Sequence, residues 1–215
     1  MGYDYRHGPD IAHDGENPER SSYADVVLAE RLRAAVARIN PDIPLEAREQ
    51  AVKMVVATHA PELLAANEMF HRLLTDAVEV EFQQDGETRG EKVWLVDFEN
   101  PEANDCLVCN QFTIVEDNTN KRPDLILFIN GLPLVVLELK NAAAENATIR
   151  SAYEQLQTYK NAIPACSPTT ACWWFRTAWR HAWAPSAPVS AASWPGRPRR
   201  PRERPGNASA DRDAC

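Results

Sequence analysis

The 215-residue chain lacks the apolar segment that a membrane span requires. No apolar run reaches the roughly 18 residues needed to cross a bilayer. Its first segment, Met1–His7, lacks the basic and apolar regions of a signal peptide. The five cysteines are irregularly spaced and do not suggest a disulfide framework. These absences together predict a soluble cytoplasmic protein.

Two further features are missing, a phosphate-binding loop and a positive charge balance. No Gly-x-x-x-x-Gly-Lys-(Ser/Thr) sequence is present, so the chain itself is not an ATP-driven motor. Residues 1–163 hold 15 Lys/Arg against 28 Asp/Glu, whereas residues 164–215 hold 8 Arg and 3 acids. Because phosphate neutralisation supplies most non-specific affinity, the acidic part is a poor stand-alone binder of nucleic acid.

The sequence is most informative between residues 122 and 140, where two apolar runs flank Asn130-Gly131. Asn-Gly between hydrophobic runs favours a β-hairpin, because both residues tolerate positive φ. The runs are almost continuous Leu, Ile, Val and Phe, which is typical of strands covered on both faces. Asp124, Glu138 and Lys140 stand at the ends of these strands. Burying such charges is costly unless they are paired or bind a metal, so they require an explanation.

The length of the hairpin loop decides whether these charges converge. Side chains alternate along a strand, so Glu138 and Lys140 share a face. A two-residue loop pairs Asp124 with Leu137 and sends it to the wrong face, whereas a three-residue loop with Gly131 in a bulge pairs it with Glu138 or the residue two before it. We therefore predict the three-residue loop. Two carboxylates would then suit Mg²⁺, and Lys140 would orient or help deprotonate a water that attacks a phosphodiester.

These residues form a family pattern. Pro123-Asp124 followed by Glu138-Leu139-Lys140 resembles the Pro-Asp…(Asp/Glu)-x-Lys nuclease signature. The longer segment 122–141 resembles the N-terminal nuclease domain of type I restriction enzyme R subunits, and the resemblance extends over about residues 2–164. It implies a restriction-endonuclease-like fold in which Asp124 and Glu138 bind Mg²⁺. The alternative is a surface hairpin with an ordinary ion pair between Glu138 and Lys140.

Apolar periodicity predicts the elements before this hairpin. Residues 1–21 are polar and rich in turn signals, so a surface loop is expected, with His7 and His13 as ordinary surface residues. Apolar stripes predict helices at Ser22–Ile39, Leu45–Thr58 and from after Pro61 to Thr75. Glu68 and His71 on the third helix could face the site, but a solvated helix surface is the favoured interpretation.

Three strands are predicted between this helix and the hairpin, at Val78–Phe82, Lys92–Phe98 and Cys106–Glu116. Cys106 and Cys109 have the spacing of a zinc knuckle, but no second pair follows in the folded part. Residues three apart in a strand also point to opposite faces, so metal binding is not expected.

A helix is expected after the hairpin, from Asn146 or Thr148 to Ala162. Gln155 and Tyr159 lie four residues apart and therefore share a helix face. Gln155-x-x-x-Tyr159 resembles the third motif of RecB-like nucleases, a group that includes the R-subunit domain. The resemblance implies that both side chains support the attacking water or the scissile phosphate.

The composition changes abruptly after Ile163. Residues 165–215 contain no Leu, Ile, Met, Lys, Gln or Tyr, but five of the six Trp, eight Arg and seven Pro. Proline at this density opposes helix and strand, so a disordered tail is predicted. The segment could be a basic nucleic-acid-binding arm. Its composition instead favours GC-rich codons read out of frame, and we expect a frameshift near codon 165 that truncates the domain.

The expected organisation is an N-terminal loop (1–21), an incomplete α/β nuclease domain (22–164) with a mixed sheet flanked by helices, and the tail (165–215). The resemblance implies Mg²⁺-dependent DNA cleavage in a complex with modification and specificity subunits, where ATP is used by motor domains that this chain lacks. Two alternatives remain open: an inactive remnant of that subunit, and a module that binds DNA or partner subunits without cutting.

Overall fold

A six-stranded mixed sheet is the centre of the fold. The computed structural model describes residues 2–57, 63–84, 87–116, 119–140, 154, 157–158, 172–177 and 181–185. The strands of this sheet are β1 (Asp4–His7), β4 (Cys106–Asn110), β7 (Leu125–Ile129), β8 (Leu132–Lys140), β9 (Cys172–Thr177) and β10 (His181–Pro185). Two separate ribbons pair β2 (Val78–Gln84) with β3 (Glu87–Val93) and β5 (Ile114–Glu116) with β6 (Thr119–Lys121).

The directions of the strands make the sheet mixed. β1 runs parallel to β4 and β8 runs parallel to β9, whereas the other neighbours are antiparallel. Within the described ranges, three helices of 11 to 14 residues accompany it, namely α1 (Ala29–Ile39), α2 (Leu45–Val56) and α3 (Leu63–Asp76). The predicted α/β class with a mixed sheet and helices is therefore confirmed.

One face of the sheet is sealed and the other is half covered. Cys109, Ile126 and Val136 lie side by side on neighbouring strands, and each is 0% exposed. The adjacent row on the opposite face, Val108-Leu127-Val135, is only partly buried. The sealed face joins the main hydrophobic core, to which α1, α2 and α3 contribute Leu32, Val36, Val52, Val55, Phe70 and Leu74. We call it the core face.

The first helix starts later than predicted, at Ala29 instead of Ser22. The Asp25 carboxylate accepts the backbone N–H of Ser22 at 2.9 Å, which holds a turn where the helix was expected. The Leu28 N–H then donates to the Gly131 carbonyl at 2.9 Å. This contact ties the start of α1 to the central hairpin, a long-range constraint that local periodicity does not contain.

The other two helices follow the prediction closely. α2 ends at Val56, two residues before the expected Thr58, and α3 extends one residue past Thr75. Val52 and Val55 of α2 are buried in the core, whereas 45% of Val56 at the end of the helix is exposed.

Strand boundaries shift where loops intervene. β2 extends to Gln84, and its partner β3 covers Glu87–Val93, five residues earlier than the predicted Lys92 start. The predicted third strand, Cys106–Glu116, is divided into β4 and β5 because Gln111 adopts a positive φ of 54°. A left-handed residue cannot continue a pleated ladder.

The N-terminal segment is not only a loop, as was predicted. β1 pairs in parallel with β4, with Tyr5 opposite Val108, and the Gly8 N–H donates to the Asn110 carbonyl at 2.8 Å. The prediction was wrong here because a polar edge strand is held by backbone hydrogen bonds and shows no apolar alternation.

The tail also contains strands, contrary to the prediction that residues 165–215 are disordered. β9 pairs in parallel with β8, with residue 175 opposite Glu138 and residue 177 opposite Lys140. The backbone groups along an unpaired edge of β8 offer hydrogen bonds to any extended segment, whatever its composition. The hypothesis of a frameshift stays a prediction.

Asn130 anchors the turn of the central hairpin to the segments around it. Its side chain is fully buried and accepts the Asp105 N–H at 2.8 Å. Its amide nitrogen donates to the Leu95 carbonyl and to Asn104 Oδ1, both at 2.8 Å. A buried amide with all these partners holds the turn in one position.

No helix in the described part of the chain is long and apolar enough to cross a membrane.

Candidate active site

The turn of the central hairpin has two residues. Asn130 and Gly131 both adopt positive φ, at 53° and 79°, as the Asn-Gly sequence predicts. Ile129 and Leu132 are directly paired across it. The predicted three-residue loop is therefore wrong.

A β-bulge within the hairpin shifts the register by one residue, which is the shift that the three-residue loop was predicted to cause. Phe128 pairs with Pro133, but the next residue, Leu127, pairs with Val135, so Leu134 is the extra residue. Pro133 has no N–H to donate, and proline within a strand is mostly found at bulges or edges. Its presence in the sequence is the signal that could have located the shift.

The bulge brings Asp124 opposite Glu138. Leu125 pairs with Leu137, and extending this register by one residue places Asp124 across from Glu138. Glu138 follows Val136 on the core face, whereas Asp124 lies just before β7 and is only partly buried. The register is therefore compatible with the predicted juxtaposition of the two carboxylates, and their convergence stays a prediction.

Asp124 is held by two backbone donors. The Leu139 N–H donates to Asp124 Oδ2 at 2.7 Å, and the Gln111 N–H donates to the Asp124 carbonyl at 3.1 Å. Pro123, directly before it, is buried. These two amides were missed from the sequence, because backbone groups leave no residue-specific signal. They fix the Asp124 carboxylate beside the peptide that links Glu138 to Leu139.

Glu138 is a carboxyl-bearing side chain in an apolar wall. It is only 5% exposed and lies next to Val136 on the core face, which is 0% exposed. Burial at this level requires compensation by hydrogen bonds, an opposite charge or a cation. Glu138 does make a polar interaction in the structure, so it is not an isolated buried charge.

The remaining predicted site residues are less defined. Lys140 is the last residue of β8, two residues beyond Glu138, and its backbone pairs with position 177. The Lys140 side chain lies outside the described part of the structure. Gln155 and Tyr159 also lie outside the described residues, although Glu154, Gln157 and Thr158 around them are helical.

The donors at this end of the hairpin suit a hard divalent cation. Asp124 and Glu138 both offer carboxylate oxygens, the ligand type that Mg²⁺ prefers. Among the described residues no group of three or more His, Cys, Asp or Glu side chains forms a metal site. Two carboxylates are fewer than the three groups by which such a site would be identified, so the described residues do not by themselves define a metal centre.

The other candidates from the sequence do not approach this pair. Glu68 and His71 are both exposed, and Glu68 forms an ion pair with Arg72 at 2.6 Å. This agrees with the interpretation that they lie on a solvated helix surface. His7 is partly buried and its Nδ1 forms a hydrogen bond of 2.9 Å with Asn110 Oδ1, so it is not an ordinary surface residue as was predicted. His13 is partly exposed and stacks edge-on against Tyr23.

The cysteines on β4 are structural. Cys109 lies on the core face and Cys106 lies an odd number of residues before it, so the strand directs them to opposite faces. Both are free and buried. Burial raises the pKa of Cys106 and raises that of Cys109 to about 12, which keeps both thiols protonated.

Comparison with known proteins connects this site to a family. The model of the type I restriction enzyme R protein N terminus matches residues 1–170. This chain belongs to that family.

Two relatives of this R-protein domain illustrate the similarity. The type I restriction enzyme HindI endonuclease subunit of Haemophilus influenzae is 42% identical over 165 residues, 76% of this chain. The MjaIXP endonuclease subunit of Methanocaldococcus jannaschii is 35% identical over 167 residues. In both cases the match spans 16% of the length of the relative.

Proposed function

We propose that this chain is the DNA endonuclease domain of a type I restriction R subunit and hydrolyses phosphodiester bonds with Mg²⁺. The observation that supports it best is the pairing of Leu125 with Leu137, since the same register continued by one residue would set Asp124 opposite the buried Glu138. Burying a carboxylate such as that of Glu138 in apolar surroundings costs free energy of folding. An acidic residue at such a position therefore suggests a functional reason for its presence. Family membership indicates that this function is nucleolytic, since the two relatives are named endonuclease subunits.

Asp124 and Glu138 are the proposed metal ligands. The Leu139 N–H orients the Asp124 carboxylate through its hydrogen bond to Oδ2, and backbone pairing fixes Glu138 on the neighbouring strand. When bound, Mg²⁺ supplies charge that neutralises the phosphate oxygens as negative charge develops on them. Without a cation, an anionic DNA backbone would be repelled by the carboxylate pair.

Lys140 is the proposed group that positions the attacking water. The water oxygen forms a bond to phosphorus, the bond from phosphorus to the leaving oxygen breaks, and the proton of the water is lost while the leaving oxygen gains one. Lys140 follows Glu138 by two residues on the same strand, which suits a role next to the metal ligands. Gln155 and Tyr159 are proposed to support the water or the phosphate without adding negative charge.

The activity of a whole R subunit is a wider proposal. The chain covers 16% of the length of these relatives, so DNA translocation, ATP use and site recognition would depend on other domains and on modification and specificity subunits. The acidic balance of residues 1–163 supports this division, because such a domain depends on partners to bring DNA to it.

A plasmid-nicking assay with and without Mg²⁺ tests the proposal. We expect the unaltered chain to nick DNA only with Mg²⁺, and Asp124→Asn, Glu138→Gln and Lys140→Ala to lower the rate by about 100-fold or more. Glu87→Gln serves as the control, since Glu87 is an exposed carboxylate on β3.

The outcomes separate the alternatives. Nicking that survives all three site substitutions refutes the assignment of these residues. If the unaltered chain cuts nothing, it is not an active nuclease by itself, and a thermal melt then distinguishes a folded DNA- or partner-binding module from an unfolded remnant.

A further inference from the structure

Charge is unevenly placed around the carboxylate pair. Lys121-Arg122 is the single place in residues 1–163 where two Lys or Arg residues are adjacent, in a segment with 13 more acids than bases. The two residues lead from the end of β6 directly into Pro123-Asp124. Within residues 1–163, the one adjacent pair of cationic residues thus lies next to the proposed metal ligands.

Arg122 is exposed and unpaired, in contrast to most cations of the described structure. Five Lys or Arg side chains form ion pairs with carboxylates there, namely Arg6, Arg31, Arg33, Arg72 and Lys92. Arg38 and Arg48 donate to backbone carbonyls. Within the described residues, no carboxylate oxygen lies within 4.0 Å of the Arg122 guanidinium. Its hydrogen-bond donors are therefore available to an external acceptor.

The backbone next to Arg122 is held in place. Pro123 is buried, and Asp124 is fixed through its carbonyl by Gln111 and through its carboxylate by Leu139. A side chain that begins two residues from this anchor stays near the carboxylate pair. The Arg122 side chain is thus exposed, while its backbone is restrained by the anchored residues that follow it.

From these observations we propose that Arg122 is a positioning residue that binds a backbone phosphate of DNA beside the carboxylate pair. The proposal rests on the proposed function and names a contact that orients the substrate. The planar guanidinium presents a fork of donors that fits two phosphate oxygens. Its charge also offsets the repulsion between the phosphate and the Asp124 and Glu138 carboxylates.

Binding measurements that do not depend on cleavage test this contact. We would measure the affinity of a fluorescent DNA duplex for the full chain carrying Asp124→Asn, at several salt concentrations. Adding Arg122→Ala should weaken binding about five- to tenfold and reduce the steepness of the salt dependence by about one phosphate contact. Arg122→Lys should recover part of the affinity, because the charge remains while the fork is lost.

Lys53→Ala is the matched control. Lys53 is an exposed cation on α2, a helix that packs mainly against α1, β2 and β3. It changes the net charge by the same amount, so we expect less than about a twofold effect. A thermal melt of each variant checks that the fold is retained.

Two results would overturn the inference. One is an equal loss of affinity in Arg122→Ala and Lys53→Ala, which reduces the effect to overall charge. The other is no measurable binding by the Asp124→Asn parent even at low salt. Failure of the nuclease proposal looks different: DNA is then bound through Arg122 but never nicked by the unaltered chain.

Discussion

The backbone N–H of Leu139 donates to Asp124 Oδ2 at 2.7 Å, so each strand of the central hairpin contributes one partner to the same bond. Asparagine retains a side-chain oxygen that can accept this bond, whereas alanine does not. We expect Asp124→Asn to keep the stability of the unaltered chain and Asp124→Ala to lose about 1 kcal/mol. Urea unfolding measures both. Equal stability of the two variants would mean that the bond contributes nothing.

Magnesium should stabilise the chain through the same carboxylate. If Mg²⁺ binds the folded state at Asp124 and Glu138, ten times its dissociation constant raises the free energy of unfolding by about 1.4 kcal/mol. The melting temperature should therefore rise with Mg²⁺ in the unaltered chain and stay constant in Asp124→Asn. A similar rise in both proteins would place the binding elsewhere, and Glu87→Gln should respond like the unaltered chain.

Glycine is required at the turn for two reasons. Gly131 has a φ of 79°, and a Cβ atom there would collide with the Leu28 carbonyl oxygen. We expect Gly131→Ala to cost at least about 2 kcal/mol in the free energy of unfolding. Gly90→Ala is the control, because its Cβ would meet nothing within 4 Å, and its effect should stay within about 0.5 kcal/mol. Two equal losses would show that the turn relaxes.

Arg31 joins three separate segments. Its guanidinium pairs with Glu19 of the N-terminal region and with Asp105 at 2.9 Å, and its side chain is 18% exposed. Arg31→Ala leaves the Asp105 carboxylate without its cation and leaves Glu19 with only its 3.9 Å contact to Arg6, so a loss of about 2 kcal/mol is expected. Arg33 makes two ion pairs of its own but is 36% exposed, and Arg33→Ala should cost less than about 1 kcal/mol. Denaturant midpoints of the two variants give the comparison.

Because of Cys109, the free energy of unfolding should fall as the pH rises above about 9. Burial raises its pKa to about 12, while the unfolded thiol ionises near 9. The thiol therefore stabilises the fold fully below pH 9, and this contribution is lost as the pH rises towards 12. The difference in unfolding free energy between the unaltered chain and Cys109→Ala should narrow by about 1 kcal/mol from pH 8 to pH 10. A constant difference would mean that the folded thiol ionises normally.

The sequence predicts the hairpin because its information is local. Asn130-Gly131 specifies the positive φ values, and the acidic residues stand out against an apolar background. The loop length was mispredicted because parity was assigned to the turn alone, although Pro133 indicated a bulge within the strand. The bulge restores the parity that the three-residue loop was expected to provide, so the convergence of the charged side chains stays a prediction.

Long-range contacts account for what sequence patterns missed. The start of α1 depends on the bond between Leu28 and Gly131, and β1 depends on pairing with a strand about a hundred positions away. The amides that hold Asp124 are equally invisible, since Leu139 and Gln111 contribute only backbone atoms. Side-chain chemistry could be predicted, but the groups that orient it could not.

The parallel pairing of β1 with β4 delays the folding of the first strand during synthesis. Asp4 faces Leu107, so the first strand leaves the ribosome with nothing to pair with until its neighbour has been translated. At about 5–20 residues per second, that wait lasts about 5–20 seconds. During this interval Tyr3 and Tyr5 are open to chaperones, and closing the sheet edge becomes a late step in biogenesis.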